Sequence, residues 1–389
     1  MSTDRIEYDA SHIQVLHGLE AIRKRPGMYV GSDGERGLHQ LVFEVADRAV
    51  NEVLAGRAGA VHITLTADGS VRVADDGPAL PAEEADALLS RLPAGRRHAG
   101  RDVVALGLGG TGLCVANALS SRLTTELRHD GVRLLREYER GKEVTPPAPA
   151  GPAAGTGTVI TFRPDTEIFG TAAYSFEVLA DRFRELAFLN RALDVTLTDR
   201  RAAAEPRSER FRFPGGAREF VGFLGAGAGA PVHPEVFGFE REVPVMGGTV
   251  EVALRWHDSP GERVLSFANS SPTPCGGTHA EGLRDGLAAA VGAFAGARGP
   301  LPAAEPGSAA ADGVVGGGGG GGGEGLVAVV SVKLDQPEFQ GVTHGVLGGS
   351  AVRGGVAEAV REELGAWFAR DRERAAAVVG HLLRGRGLT

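Results

Sequence analysis

The sequence predicts an α+β protein built in two parts. Leu38, Leu41, Val42, Val45, Ala49 and Val53 recur at three- and four-residue spacing, the apolar stripe of an amphipathic helix. Val61, Ile63 and Leu65, then the turn signal Asp68-Gly69, then Val71 and Val73 spell a hairpin of alternating strands. From about Phe213 the texture changes to a fresh set of strands and helices, and 389 residues are enough for two or three domains.

Bulk properties narrow the function classes. An apolar content of 42% supports real cores and excludes a disordered chain. A net charge of −8 excludes a whole-chain nucleic-acid glove, so DNA would be reached only indirectly, through a local patch or another subunit. Cys114 and Cys275 match no metal or disulfide spacing, and each is expected to be a small buried residue. The polar start MSTDRIEYDASHI is no signal peptide, and no run of about 18 apolar residues predicts a membrane span. A cytoplasmic protein without membrane contact is the expectation.

Taken in order, Met1 to His12 reads as a loose arm. Ile13 to Arg25 carries Val15, Leu16, Leu19 and Ile22, a short helix stopped by Pro26-Gly27. The Leu38–Leu54 helix and the hairpin follow. Ala82 to Leu92 is a further helix, and Pro93 to Val104 a basic loop. Gly107 to Gly112 runs straight into the apolar helix LCVANALS. Leu123–Leu127, Val132–Tyr138 and Thr158–Phe162 read as strands, with Pro146 to Gly155 as a loop. Tyr174–Asn190 is an amphipathic helix and Leu193–Leu197 a strand. Beyond Phe213, a helical piece at Phe220–Leu224 precedes a Gly/Ala loop to Ala230. Thr249–Trp256 and Arg263–Asn269 look like paired strands, and Gly282–Phe294 is a helix. Residues 298–325, with eight consecutive glycines, form a linker that cannot pack. Leu326–Leu334 is a buried strand, and Val352–Leu383 one long helix or two with a break.

Three features carry chemistry. Glu44, Asp47, Arg48 and Asn51 share the ridge opposite the apolar stripe of the first long helix. That ridge is either a solvated, salt-bridged face or one wall of a site. Asp75 keeps the parity of Val71 and Val73, so its carboxylate faces the core side. There it is either a strand-end turn residue or an acceptor for a ligand. The glycine turn Gly107-Leu108-Gly109-Gly110-Thr111-Gly112 opens a helix, as a phosphate cradle does and as a tight helix-entry turn does. It lacks the Lys-Ser/Thr ending of a Walker A loop.

The segments YDASHIQVLHGLEAIRKRPGMYVGS, FEVADRAVNEVLAG, DGSVRVADDG, VANALSSRL, GTGTVITFRPD, LSFANSSPTPCGGTHAEGLR and VSVKLDQPEFQG occur in that order. Together they resemble the ATPase and transducer domains of the B subunits of DNA gyrase and topoisomerase IV. The resemblance implies a two-layer α/β sandwich of the GHKL (Bergerat) ATPase type over residues 15–213. A ribosomal-protein-S5-like α/β transducer domain would follow over residues 214–389. It implies ATP as the bound nucleotide, Glu44 as the general base, Asp75 as the acceptor for the adenine amino group, and Thr158 as its support. Gly77 and Pro81 would flank the base, and Gly107 to Gly112 would cover the phosphates. Asp47 and Arg48 belong to the same wall. The arm from Tyr8 to Ile13 would reach across a homodimer to the partner's nucleotide.

This chain also departs from the family pattern. The family's magnesium-holding Asn is replaced by Arg48, a donor-only side chain that cannot ligate a cation. It could instead neutralise phosphate charge. Asn51-Glu52 stands for Asp-Glu, and Pro78 replaces an Arg in the loop Asp76-Gly77-Pro78-Ala79-Leu80-Pro81. The segment from Pro81 to Gly107 looks shortened. The loop that meets the γ-phosphate reads Val342-Thr343-His344 where the family has Gln-Thr-Lys, which leaves His344 as a shorter, mostly neutral stand-in. No Asp-x-Asp run follows Leu334, so this polypeptide alone is not expected to cut DNA. It would act with a gyrase A-type or separate cleavage subunit. Two functions fit: an ATP-operated gate with impaired hydrolysis, or a pseudo-ATPase acting as a regulatory or decoy partner of gyrase.

Overall fold

The computed structural model describes residues 18–92, 100–101, 103–107, 112–202, 205–296, 325–341 and 345–384. Helices α1 (Leu19–Lys24), α2 (Gly27–Val30) and α3 (Glu35–Leu54) lead into the hairpin β1 (Val61–Leu65) and β2 (Val71–Asp75). After α4 (Ala82–Ser90) and α5 (Leu113–Ala118) come β3 (Ser120–His129), β4 (Val132–Glu139), β5 (Lys142–Pro152) and β6 (Gly157–Pro164). Then follow α6 (Thr166–Phe169), α7 (Phe176–Leu189), β7 (Val195–Asp199) and β8 (Arg207–Phe211).

These strands form one eight-stranded sheet in the order β5-β4-β3-β6-β2-β1-β7-β8. Its apolar face is covered by α3, α5 and α7. Leu41, Val45 and Ala49 of α3 share one core with Val61, Ile63, Phe162, Leu179 and Phe183. Burying aliphatic side chains between one sheet and one helix layer is what makes this a two-layer sandwich. It also fixes α3 across the sheet centre, with its polar ridge at the edge of the core.

A second unit contains α8 (Ala217–Leu224), β9 (Phe237–Val243), β10 (Gly248–Trp256), β11 (Arg263–Ala268), β12 (Ser271–Pro272) and α9 (Thr278–Gly296). It continues with β13 (Leu326–Leu334), β14 (Phe339–Gln340), β15 (Val346–Leu347), α10 (Ser350–Arg370) and α11 (Arg372–Arg384). Its sheet runs β12-β11-β13-β10-β9. Central β13 is buried on both faces. Leu326, Ala328, Val330 and Val332 meet α9, α10 and α11, whereas Val327 and Val329 meet α8. A strand sandwiched between two helix layers has no polar side, which explains its unbroken apolar run.

Several expectations change. Pro146–Gly155 is not a plain loop: residues through Pro152 extend edge strand β5, paired to β4 with register shifts. An outer strand needs fewer N–H donors, so prolines are tolerated there. Strands β10 and β11 are not partners, because β13 lies between them, antiparallel to β10 and parallel to β11. Of the helix expected over Ile13–Arg25, residues 13–17 lie outside the described residues; the described part is α1, Leu19–Lys24, and Pro26 starts a second short helix rather than only stopping this one. Gly325, assigned to the linker, is held: its N–H donates to Gly261 O at 3.0 Å and its carbonyl accepts from His257 N at 2.8 Å. The rest of the linker lies outside the described residues. Cys114 is buried as expected, but Cys275 is exposed. The long C-terminal pattern is two helices, broken at Asp371.

Candidate functional site

Helix α3 supplies the floor of the site. Glu44 is 2% exposed, so the polar ridge is not a solvated face at this point. Gln40 Nε2 lies 3.4 Å from Glu44 Oε1, and Gly112 N–H donates to Glu44 Oε2 at 3.0 Å. Gly112 adopts φ 69°, a left-handed conformation suited to glycine, and directly precedes α5. Gly107 passes so close that a Cβ there would fall 2.0 Å from Glu44 Oε1. The two described ends of the glycine turn therefore converge on one buried carboxylate.

One turn along α3, Asp47 and Asn51 hold the strand of chain that leads into this turn. Asp47 Oδ1 accepts from Leu106 N at 2.8 Å. Asn51 pairs with both backbone groups of Val104, donating to its carbonyl at 2.8 Å and accepting its N–H at 2.9 Å. Burial raises the Asp47 carboxyl to about 6, although the Leu106 N–H and the Asn51 amide favour its charged form.

The far end of the ridge meets the end of β2. Asp75 faces Thr158 across the β2–β6 ladder. Asp75 Oδ1 accepts from Gly77 N at 3.1 Å, and Thr158 Oγ1 accepts from Leu80 N at 3.0 Å. Asp75 Oδ2 is taken by Arg48 Nη1 at 2.7 Å, while Arg48 Nη2 donates to Pro78 O at 3.0 Å. Of the two readings of Asp75, the chain itself thus supplies the donors. Burial raises the Asp75 carboxyl above its ordinary value against the opposing pull of Arg48 and the Gly77 N–H.

A sheet backed by one helix layer, with a carboxylate at a glycine turn and a second at a strand end, is a pattern with known relatives. Residues 33–168 match the family described as histidine kinase-, DNA gyrase B- and HSP90-like ATPase, and residues 216–386 match DNA gyrase B. The gyrase B protein of Streptomyces coelicolor is 39% identical over 396 residues, covering 96% of this chain and 56% of that protein. A crystal structure of the 43K ATPase domain of Thermus thermophilus gyrase B, in complex with an aminocoumarin, superposes with a TM-score of 0.76. It is 30% identical over 95% of both chains. The chain belongs to the DNA gyrase B family. The topoisomerase IV ATP binding domain of Francisella tularensis is also similar, with TM-score 0.71 and 27% identity over 96% of this chain and 98% of that one. The chain spans little more than half the length of the curated gyrase B relatives it matches. Its fold is the family's GHKL ATPase-type sandwich followed by the transducer unit.

Within this gyrase-B-type frame, Glu44, Asp47, Gly107 and Gly112 gather at one end of the ridge, and Arg48, Asp75, Gly77 and Thr158 at the other. Pro81 stands slightly apart as the exposed residue that opens α4. Tyr8, Ile13, Leu108, Gly109, Gly110, Thr111 and the triplet Val342-Thr343-His344 lie outside the described residues. Asn51 and the Leu80 N–H belong to the site's framework but were not legible as such. Asn51 shares the ridge spacing, yet only the folded loop reveals its grip on Val104. Arg48 offers only N–H donors, and both described contacts are to oxygens of the protein. A guanidinium has no lone pair to offer a cation. Among the described residues, no group of three or more His, Cys, Asp or Glu could hold a metal.

Proposed function

We propose that the chain is a gyrase-B-type nucleotide gate. It binds ATP along the α3 ridge, with the base toward Asp75 and Thr158 and the phosphates toward the Gly107–Gly112 turn. The supporting observation is spatial. The one-turn ridge from Glu44 to Arg48 joins a glycine-lined helix entrance to a buried strand-end carboxylate. A glycine turn that opens a helix favours phosphate, and a buried carboxylate favours an amino donor. In this reading Tyr8 to Ile13 serves a homodimer, and a gyrase A-type or separate cleavage subunit supplies DNA cleavage in the cytoplasm. Residues 15–213 act as the ATPase-type unit and residues 214–389 as the transducer.

Hydrolysis is slow in this reading. Glu44 is positioned by Gln40 and Gly112 to polarise a water, but phosphoryl transfer depends chiefly on charge stabilisation. Arg48 cannot recruit magnesium, and Val342 and His344 replace a hydrogen-bonding Gln and a Lys. Each lost charge contact is typically worth about 10²–10³ in rate. Steady-state ATPase assays test this: turnover far below that of gyrase B relatives, abolished by Glu44→Gln, is expected. Turnover unaffected by Glu44→Gln would remove Glu44 from the mechanism. The second reading, a pseudo-ATPase that regulates or mimics gyrase, is favoured by the Arg48–Asp75 pair. It predicts no Glu44-dependent turnover at all.

A further inference from the structure

The sheet of the first unit has a second face. Helices α3, α5 and α7 pack on one side, and no described helix packs on the other. Across that open side, β3, β6, β2 and β1 bring Thr124, Thr161, Arg72 and Thr64 into one row of directly opposed residues. Thr64 in turn lies beside Thr198 of β7. Two residues along, Arg163 follows Thr161 and Arg200 follows Thr198, so both stand on the same face in the next row. Arg200 extends the ladder, its N–H donating to Leu65 O at 2.8 Å. With neighbouring strands about 4.8 Å apart, the three arginine backbones lie within about 15 Å of one another.

Within the described residues, the guanidiniums of Arg72, Arg163 and Arg200 have no hydrogen bond or ion pair, and neither do the hydroxyls of Thr64, Thr124 and Thr161. Arg72 is half-buried besides. Burial, then Arg128 and Arg200, push its guanidinium below the ordinary value, with Glu126 opposing. The acids on or beside this face are engaged: Glu126 by Arg128, Glu137 by Arg122, Asp194 by Arg210, and Asp68 by Thr66 and Ser70. A local positive excess therefore stands on one face of a chain whose net charge is −8.

We propose that this open face docks the phosphate backbone of a nucleic-acid duplex, without regard to sequence. Guanidinium forks and threonine hydroxyls are the donors that phosphate oxygens accept from. A half-buried cation without a carboxylate partner is costly until an anion reaches it, and this one is flanked by hydroxyl donors on both sides. The three cations lie on β2, β6 and β7 in two rows, a broad patch rather than a line. An extended acidic peptide follows a line, whereas a duplex presents two phosphate strands. Unpaired bases would need aromatic rings to stack on. The aromatic residues of this sheet's strands, Tyr138, Phe162 and Phe211, are all buried on the core face. The face thus suits the outside of a duplex and not a single strand. The inference is independent of the nucleotide gate proposed above.

Fluorescence anisotropy of a labelled, mixed-sequence DNA duplex tests it, using the whole chain at low salt. Single-stranded DNA and polyglutamate serve as competitors at equal charge concentration. Binding is expected, with log affinity falling against log salt at a slope of about −2.7 for three phosphate contacts. Arg72→Gln, Arg163→Gln and Arg200→Gln together should weaken binding about tenfold or more and bring the slope near zero. The same loss of charge through Arg361→Gln, Arg370→Gln and Arg372→Gln, on α10 and α11, should change affinity by less than about twofold. Equal losses from the two triple variants would reduce the effect to net charge and overturn the site. Absence of duplex binding, preference for the single strand, or displacement by polyglutamate would each overturn it as well. Should the first triple variant fold poorly, Arg163→Gln with Arg200→Gln, both exposed, keeps the test. The slope should then fall to about −0.9, and an unchanged slope contradicts the proposal.

Discussion

Asp47 is a carboxylate kept where its charge is disfavoured. Burial lifts its folded value to about 6 from 3.8, so the folded chain holds a proton that the unfolded chain has lost. The sign follows: its stabilising contribution is full below about 4 and is lost as pH rises from about 4 to about 6. The loss is on the order of 2–3 kcal/mol. Asp47→Asn keeps an acceptor for the Leu106 N–H and removes the titration. Thermal melts should show the variant more stable than the parent above pH 6, with the difference vanishing near pH 4. An equal difference at both pH values would show that the carboxyl does not titrate in this window. A carboxylate retained against stability is the pattern of functional walls. At this scale the sequence was informative about identity but not about partners. Glu44 and Asp75 were singled out by ridge spacing and strand parity. That Arg48 turns to Asp75 could not be read from spacing, because a long guanidinium side chain can turn to any of several acceptors.

Among the elements, the short stretch 103–107 is held almost wholly by α3. Asn51 clamps both backbone groups of Val104, and Asp47 takes the Leu106 N–H. Asn51→Ala removes two hydrogen bonds worth about 1 kcal/mol each. Hydrogen exchange should rise by roughly tenfold or more at Val104 and Leu106 while the β1–β2 hairpin keeps its protection. Unchanged exchange at Val104 would mean that the clamp does not hold the stretch. The hairpin and the second half of α3 were legible because one face of each is the more buried, which imprints a period of 2.0 or 3.6. Strand β5 was not, since most of it is exposed and carries no alternation. The false pairing of β10 with β11 has a different cause. Sequence neighbours usually pair, but the strand that separates these two arrives from beyond the glycine-rich segment.

Across the whole molecule, an aromatic seam and an ion-pair seam are among the contacts that join the units. Phe188 of α7 stacks on Phe213 at 3.8 Å and on Phe220 of α8 at 4.5 Å between ring centres. Arg101, next to the site, bonds Glu242 and Asp335 of the second unit, each at 2.8 Å. Phe188→Ala should cost about 3–5 kcal/mol and, by opening the apolar seam, split a single calorimetric transition into two. A single, unshifted transition would assign the seam no role in cohesion. Acid should act through buried histidines. Burial lowers His233 and His279 from 6.5 to about 4, so each remains neutral in the fold while the unfolded chain protonates. Their contribution is full above about 6.5 and is lost as pH falls toward about 4, roughly 3 kcal/mol apiece. His279→Gln, which retains a polar partner for Thr273, should flatten the acid limb of the stability curve. An acid limb identical to that of the parent would rule out His279 as its source.

The central claim is that this gyrase-B-type site takes ATP without the family's magnesium ligand. Calorimetric titration of the whole chain with a non-hydrolysable ATP analogue, once with magnesium and once in EDTA, tests it most directly. The account predicts saturable binding of equal affinity in both conditions, weakened by Asp75→Asn. Binding that appears only when magnesium is added would contradict it.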